Sequence, residues 1–379
     1  FFKNHLYDGD GATNAETIGF QPDLVWLKRR DTNNGSRIYD SVNYGGAYSA
    51  GATGAKYLKP AGTVTNLQSA SANSLISIDS SGFTVHGSGG DTNVSGGKFI
   101  AWCWKAGGEP TATNVASAGA IPTAGSVKID GANKTDALAG GNPAKKITAN
   151  TKSGFSIVKY TGTGNGAQTI AHGLNSAPEL MFIKNLNDAE QWCVYSKAMG
   201  ATKHLRLNSN MIGNTPTNQR FNSTDPTTTV FSVGASTTDN EVGSNGDDYV
   251  AYCWHSVAGY SSMGKYVGTN SASAGAYVNC GFKPAFVMVK SYGTGGSGYD
   301  WIVFDNNRQG DAQSTDNVGY NPINSVLEWN LALDEHTTHS IDFYGNGFRH
   351  KTSSAGTNSS TTYIYMAFAE NPQKYSRGR

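Results

Sequence analysis

The chain has 379 residues, room for two or three domains, and carries a formal net charge of +1 with only 15% charged side chains. That balance gives nucleic acid no basic field to bind and leaves no acidic tail, which disfavours a nucleic-acid partner. No long apolar span calls for membrane insertion, and no signal peptide or lipidation motif is visible.

A content of 47 Gly, with few Leu and Glu, favours strands joined by tight turns over helices. The 19 Tyr, 15 Phe and 7 Trp supply apolar surface for small cores. In chain order, Tyr7-Asp8-Gly9 opens a turn, and Gly19-Phe20-Gln21-Pro22-Asp23-Leu24-Val25-Trp26-Leu27-Lys28 follows. Here a proline precedes an apolar run that a lysine closes six positions on, which predicts a strand buried on both faces. The proline sits where it costs no ladder hydrogen bond. Residues 48–74 read as loop-rich, and Leu75-Ile76-Ser77-Ile78 with Phe83-Thr84-Val85 as a hairpin turning at Asp79-Ser80-Ser81-Gly82. Phe99-Ile100-Ala101-Trp102 closes the unit.

The same order of landmarks returns twice. Tyr160-Thr161-Gly162 and Tyr266-Val267-Gly268 repeat the first signature; Ser176-Ala177-Pro178 to Lys184 and Gly281-Phe282-Lys283-Pro284 to Lys290 repeat the second. Tyr39-Asp40 has counterparts in Tyr195-Ser196 and Phe304-Asp305, and the alanine of the closing strand aligns with those in Tyr249-Val250-Ala251-Tyr252 and Tyr365-Met366-Ala367-Phe368. A period near one hundred residues means tandem domains rather than a short-repeat solenoid. The expected organisation is repeat one at 1–108, an Ala/Gly/Thr/Pro-rich connector at 109–152 with one strand-like piece (Ser126-Val127-Lys128-Ile129), repeat two at 153–258, repeat three at 259–372 and a polar tail at 373–379. The chain opens on Phe1 rather than methionine, so an N-terminal portion is expected to be missing.

Chemical signatures are sparse. Cys103, Cys193, Cys253 and Cys280 form neither a zinc knuckle nor a disulfide framework. Glu335-His336-Thr337-Thr338-His339 could clasp a metal on a helix, but on a strand its histidines point to opposite faces. Scattered His172, His204 and His255 read as surface or supporting histidines. Glycoside cleavage would need paired carboxylates such as Asp23 with Asp40 or Asp300 with Asp305, and repeat two has Ser196 instead. Asp8-Gly9-Asp10 could hold calcium but needs no ion as a turn. The expectation is therefore no catalytic residue, no metal and no cofactor.

The repeated lysines, Lys28, Lys184 and Lys290, admit two readings. Each can cover the core with its stem while its ammonium stays in water, or place a basic group at the rim of a surface that reads acidic sugars or lipopolysaccharide phosphate. The tryptophans divide the same way. Trp26, Trp192 and Trp301, with Trp102, Trp104 and Trp254, fall in or beside strands, where some belong to the core and others could face a sugar-binding cleft. The candidate ligand-binding set is Trp26, Lys28, Trp192, Lys184, Trp301 and Lys290.

The ordered set of Tyr7-Asp8-Gly9-Asp10-Gly11, the stretch from Gly19 to Asp31, Gly82-Phe83-Thr84, the stretch from Phe99 to Gly107, Val127-Lys128-Ile129-Asp130-Gly131 and the stretch from Tyr363 to Glu370 resembles a functionally uncharacterised repeat domain of tailed-bacteriophage structural proteins. Such proteins are found in marine phages in particular, among tail-fibre-like proteins, often behind a SPRY-like domain. Repeat two departs from the pattern, with His172-Gly173-Leu174-Asn175-Ser176-Ala177-Pro178 in place of Gly-Phe-x-Pro. The resemblance implies a virion protein and carries over no active site.

The reading is an all-β protein of three tandem β-sandwich-like repeat domains with long loops and little helix, stacked as a rod or closed into a pseudo-threefold cluster. Its expected role is a phage tail fibre or receptor-binding protein, assembled in the host cytoplasm, that attaches to a host-surface polysaccharide or lipopolysaccharide. Other tail or capsid proteins and a homo-oligomer, with a trimer favoured by fibre analogy, are the expected partners. The alternatives are a structural capsid or tail decoration protein and a polysaccharide-degrading tailspike.

Overall fold

The computed structural model describes residues 1–43, 54–61, 66–69, 72–213, 218–234, 240–293, 299–308 and 321–371. The expected tail at 373–379 lies outside them, as does much of 48–74. The chain is all-β, and a four-residue helix at Asn218–Phe221 is the one α-helix among the described residues.

Each repeat forms a large sheet with one strand order: opening, closing, proline-led, flanking. In repeat one these are Phe2–Asp8, Lys98–Trp104, Leu24–Arg29 and Arg37–Asp40. In repeat two they are Phe155–Thr161, Asp248–Trp254, Leu180–Asn185 and Cys193–Ser196, and in repeat three Ser261–Val267, Thr362–Ala369, Pro284–Ser291 and Ile302–Asp305. All these neighbours pair antiparallel. A small outer sheet covers one face of each: Thr13–Thr17, Gly82–His86 and Leu75–Asp79 in repeat one, Gln168–Ala171 and Val230–Val233 in repeat two, and Tyr277–Asn279, Gly347–His350 and Ile341–Tyr344 in repeat three.

The register explains why the proline-led runs are apolar without alternation. In a strand, successive side chains point to opposite faces. Val25 and Leu27 face their own outer sheet, with Phe99, Ala101 and Cys103. Leu24 and Trp26 face the other way, into a core that they share with Phe182, Trp254, Phe286, Met288 and Phe368 of the other repeats. The large sheets thus pack their inner faces on one common core, and the three repeats close on one another instead of forming a rod. Trp104 meets Trp254 at 6.1 Å between ring centroids, Phe182 meets Trp301 at 5.8 Å, and Trp26 stacks on Trp329 at 4.0 Å, so every pair of repeats is in contact.

The aromatic-x-Gly signature has a local cause in each copy. Tyr7, Tyr160 and Tyr266 stack on Phe99, Tyr249 and Tyr363 with centroids 5.1, 5.1 and 5.0 Å apart. Each phenol donates to a backbone carbonyl of the loop before the closing strand, at Thr92, Val242 and Thr357. A Cβ on Gly9, Gly162 or Gly268 would lie 2.2, 2.2 or 2.0 Å from a carbonyl oxygen of that loop, so only glycine permits the approach.

These pairs also correct the alignment of the third closing strand. Lys28, Lys184 and Lys290 lie opposite Ile100, Val250 and Ile364. Tyr363-Ile364-Tyr365-Met366 therefore corresponds to Phe99-Ile100-Ala101-Trp102, two residues earlier than matching on Ala367 suggests. A two-residue shift leaves the inward and outward sets unchanged, which is why the pattern did not expose it.

Residues 109–152 do more than connect. Val127–Ile129 and Ala132–Asn133 form a hairpin whose turn places Asp130 and Gly131 at φ 53° and 87°, and Lys146–Asn150 pairs antiparallel with the opening strand of repeat two. The large sheet of repeat two thereby reaches eight strands. Among the described residues, the equivalent opening strands of repeats one and three are sheet edges.

Candidate functional site

The six residues singled out in the sequence all lie inside the molecule. Trp26, Trp192 and Trp301 are at most 1% exposed, and all seven tryptophans belong to the common core. Trp192 of repeat two donates its Nε1–H to the Lys59 carbonyl of repeat one at 3.1 Å, and Trp301 of repeat three donates to the Arg206 carbonyl of repeat two at 3.0 Å. Repeat one has Ser36 at the corresponding position, and there Trp26 stacks on Trp329 of repeat three. These rings hold the junctions and present no face to a ligand.

The lysines correct the expectation of an ammonium in water or on a rim, since Lys28, Lys184 and Lys290 are fully buried. Carbonyl oxygens take the place of solvent. Lys28 donates to Asn34 at 3.2 Å and, across the junction with repeat three, to Leu331 at 2.8 Å. Lys184 donates to Asn185 and Asp188. Lys290 donates to Tyr299 and, across the junction with repeat two, to Asn210 at 3.0 Å. Burial outweighs nearby carboxylates and lowers the three ammonium pKa values to about 8, 8 and 7.

The candidate carboxylates and histidines are committed to structure as well. Asp23 accepts from Ser41 and from the backbone N–H of Ala106. Asp40 accepts from Tyr252 of repeat two at 2.7 Å, and Asp305 from Trp102 of repeat one at 3.1 Å. Repeat two has Ser196 where these acids stand, and Met366 is the residue that would face it. Glu335 is held by Arg30 at 2.8 Å and by Arg308 at 3.2 Å, and His336 pairs with Glu328 at 2.6 Å. No group of metal-ligating side chains occurs among the described residues. Asp10 of the turn accepts from the Ala12 backbone and from Asn93.

The arrangement best suited to a ligand lies elsewhere, on the outer sheet of repeat three. Tyr277 and Tyr344 are 47% and 38% exposed, whereas every tyrosine of the paired stacks is buried. Their rings stand 6.1 Å apart and edge to face, bordering a shallow pocket of about 390 Å³ lined by Gly275, Tyr277, Tyr344, Asn346 and Arg349. Strand pairing sets the row Tyr277–Arg349–Asp342 across the sheet. Tyr277 donates to the Asn346 side-chain oxygen, Tyr344 donates to Asp342 at 3.0 Å, and Arg349 donates to the carbonyls of Ser273 at 2.8 Å and Gly275 at 3.2 Å. Two fixed aromatic faces beside amide and guanidinium donors can stack a sugar ring and bond its hydroxyls.

The other repeats lack this set. Aligned on the strand pairs, Tyr277, Arg349, Asp342 and Tyr344 correspond to Ala15, Thr84, Ser77 and Asp79 in repeat one, and the first two to Thr169 and Ser232 in repeat two. Sequence reasoning missed the site because it searched for features shared by the copies. The signal was a departure: aromatic residues at outward positions where the other copies carry Ala, Asp or Thr. A second cleft, of about 580 Å³, opens between repeat one and residues 109–152, with Lys105, Lys128 and Lys152 balanced by Asp23, Glu109 and Asp130.

The chain belongs to a family described as a domain of unknown function (DUF7483), whose sequence profile matches residues 1–132 and again residues 123–372. The matches meet at the hairpin of residues 127–133. No curated protein matches the chain.

Proposed function

We propose that this member of the DUF7483 family is a bacteriophage virion protein, a tail fibre or receptor-binding protein, that attaches to a host-surface glycan through the outer sheet of repeat three. The exposed pair Tyr277 and Tyr344 beside Asn346 and Arg349 carries the glycan reading, because tyrosine rings left in water on a protein that buries all its tryptophans suit stacking on sugar. The virion assignment rests on the sequence resemblance. A homo-oligomer follows from the same reading. The opening strand of repeat three, Ser261–Val267, is a sheet edge where its counterpart in repeat two is covered, and several copies would give weak sugar sites the effective concentration to hold a particle.

The test is binding of fluorescently labelled protein to host cells in competition with phage adsorption. Saturable binding that blocks adsorption and is lost in Tyr277→Ala/Tyr344→Ala supports attachment through this face. Binding that survives the double substitution removes the site from the proposal, and absence of binding by folded protein removes attachment itself.

One observation favours a second reading, a decoration protein docked on another virion component. In the loop of residues 111–123, Val115 and Ile121 are 82% and 61% exposed, an apolar tip suited to a protein partner. Co-sedimentation with tail or capsid proteins, abolished by Val115→Asp/Ile121→Asp, would favour that reading.

A further inference from the structure

We infer that the glycan bound by repeat three is an acidic one, carrying carboxylate groups that the Arg349 guanidinium receives. The inference rests on the reading of the tyrosine face as a sugar site and adds the ligand's chemical class. Among the described residues that line the pocket, Arg349 is the one that is formally charged. Its Nε–H and one Nη2–H are fixed on the carbonyls of Gly275 and Ser273. Of its five donors, three are left, among them the parallel pair on the end of the guanidinium, and that fork matches a carboxylate.

No carboxylate of the described residues forms an ion pair with Arg349. The obvious candidate is Asp342, its neighbour across the strand pair, yet Asp342 accepts from Tyr344 and lies 3.5 Å from Lys351 Nζ, so its charge is engaged elsewhere. Asn346 accepts the Tyr277 hydroxyl on its side-chain oxygen, which leaves its amide N–H groups as further donors. The site therefore offers a positive charge and more donors than acceptors. A neutral sugar's hydroxyls can accept these bonds but also bring donors of their own, whereas a carboxylate only accepts and pairs its charge with the guanidinium, so it uses this surplus best. The tyrosines supply the ring contact in either case.

The experiment compares two oligosaccharides of one backbone, a neutral β-1,4-linked glucan hexamer and the same hexamer oxidised to carboxylate at C6, by calorimetry or fluorescence titration at low salt. The intact chain is expected to bind the carboxylated hexamer about tenfold more tightly, the size of one charge-assisted hydrogen bond. Arg349→Gln should abolish that preference, so that the carboxylated hexamer binds no more tightly than the neutral one. Because it also disturbs two backbone contacts, Arg349→Lys serves as the second variant: it restores charge without the fork and should keep part of the preference. Equal binding of both hexamers by the intact chain, or a preference that persists in Arg349→Gln, overturns the acidic ligand and leaves the sugar site standing. Binding of neither hexamer overturns the sugar site and the inference with it.

Discussion

The inner faces of the three large sheets and the outer faces of the three small ones were built from the same repeated plan, and they differ in what repetition means. Inside, the recurring residues are scaffold. The lysines cap carbonyls, two of them across a junction, Trp102, Trp192 and Trp301 donate to the neighbouring repeat, and behind each inner face, against the outer sheet, a Tyr stack clamps the loop before the closing strand. Outside, the copies diverge, and one of them carries a pair of exposed rings. Three equivalent positions that must meet on one core are constrained to similar chemistry, whereas three separate outer faces are free to differ.

The comparison is tested most severely by Trp301→Ala. The side chain is fully buried, contacts Phe182 of repeat two and satisfies the Arg206 carbonyl, so truncation should cost about 3–5 kcal/mol of unfolding free energy in urea. A loss below about 1 kcal/mol would mean that the repeats do not depend on their common core. Next comes Tyr252→Phe, which removes the junction donor to Asp40 with little change of volume. Asp40 keeps its bonds from Val42 and Asn43, so the loss is that of one buried hydrogen bond to a carboxyl group, about 1–3 kcal/mol. The equivalent junction between repeats two and three is the control: Ser196 and Met366 occupy the corresponding positions there, and Met366→Leu should cost less than about 1.5 kcal/mol.

Acid–base behaviour separates the two regions again, with a smaller effect. The buried lysines release their protons near pH 7 to 8 in the folded chain and near 10.5 when unfolded. Between those values the unfolded state holds more protons, so stability should rise with pH from about 7 to 9, by on the order of 1 kcal/mol per pH unit for each lysine that has lost its proton in the folded chain. Above pH 10 the buried phenols of Tyr7, Tyr160 and Tyr266, whose ionisation burial opposes, reverse the slope. Lys290→Met should flatten the rise in a series of urea curves. An unchanged slope would show that this ammonium titrates as it would in water.

The inner plan was legible in the sequence and the outer site was not, for physical reasons. Strand, proline and lysine are local features, and the all-β class follows from them. The fate of Trp26 or Trp192 is not local, because a strand buried on both faces gives the same apolar run whether its outer neighbour is a small sheet or another repeat. The lysine partners are equally remote: Lys28 is satisfied by Leu331, and nothing near Lys28 announces that carbonyl. Tyr277 and Tyr344 lie in different strands and meet only when the strands of residues 277–279 and 341–344 flank residues 347–350. A position-by-position comparison of the repeats would have raised them, provided the third closing strand had been aligned on Tyr363 rather than Ala367.

The smallest expected change in stability goes with the largest change in binding, and it can be read by moving the site. Ala15, Thr84 and Asp79 occupy the positions of Tyr277, Arg349 and Tyr344 on the outer sheet of repeat one, and none of the three is fully buried. Ala15→Tyr/Thr84→Arg/Asp79→Tyr should therefore leave stability within about 0.5 kcal/mol per position, although Asp79 gives up its bond with Thr84. If the outer faces are interchangeable platforms, the triple variant gains a second sugar site, and glycan-coated surfaces should hold it longer through avidity while the affinity for a single soluble hexamer stays the same. Tyr277→Ala/Tyr344→Ala on that background should return surface retention to the level of one site. Retention that does not rise in a folded triple variant would place the recognition in the loops around repeat three, such as the segment of Ser273 and Gly275 that orients Arg349, and confine the freedom of the outer sheets to their strands.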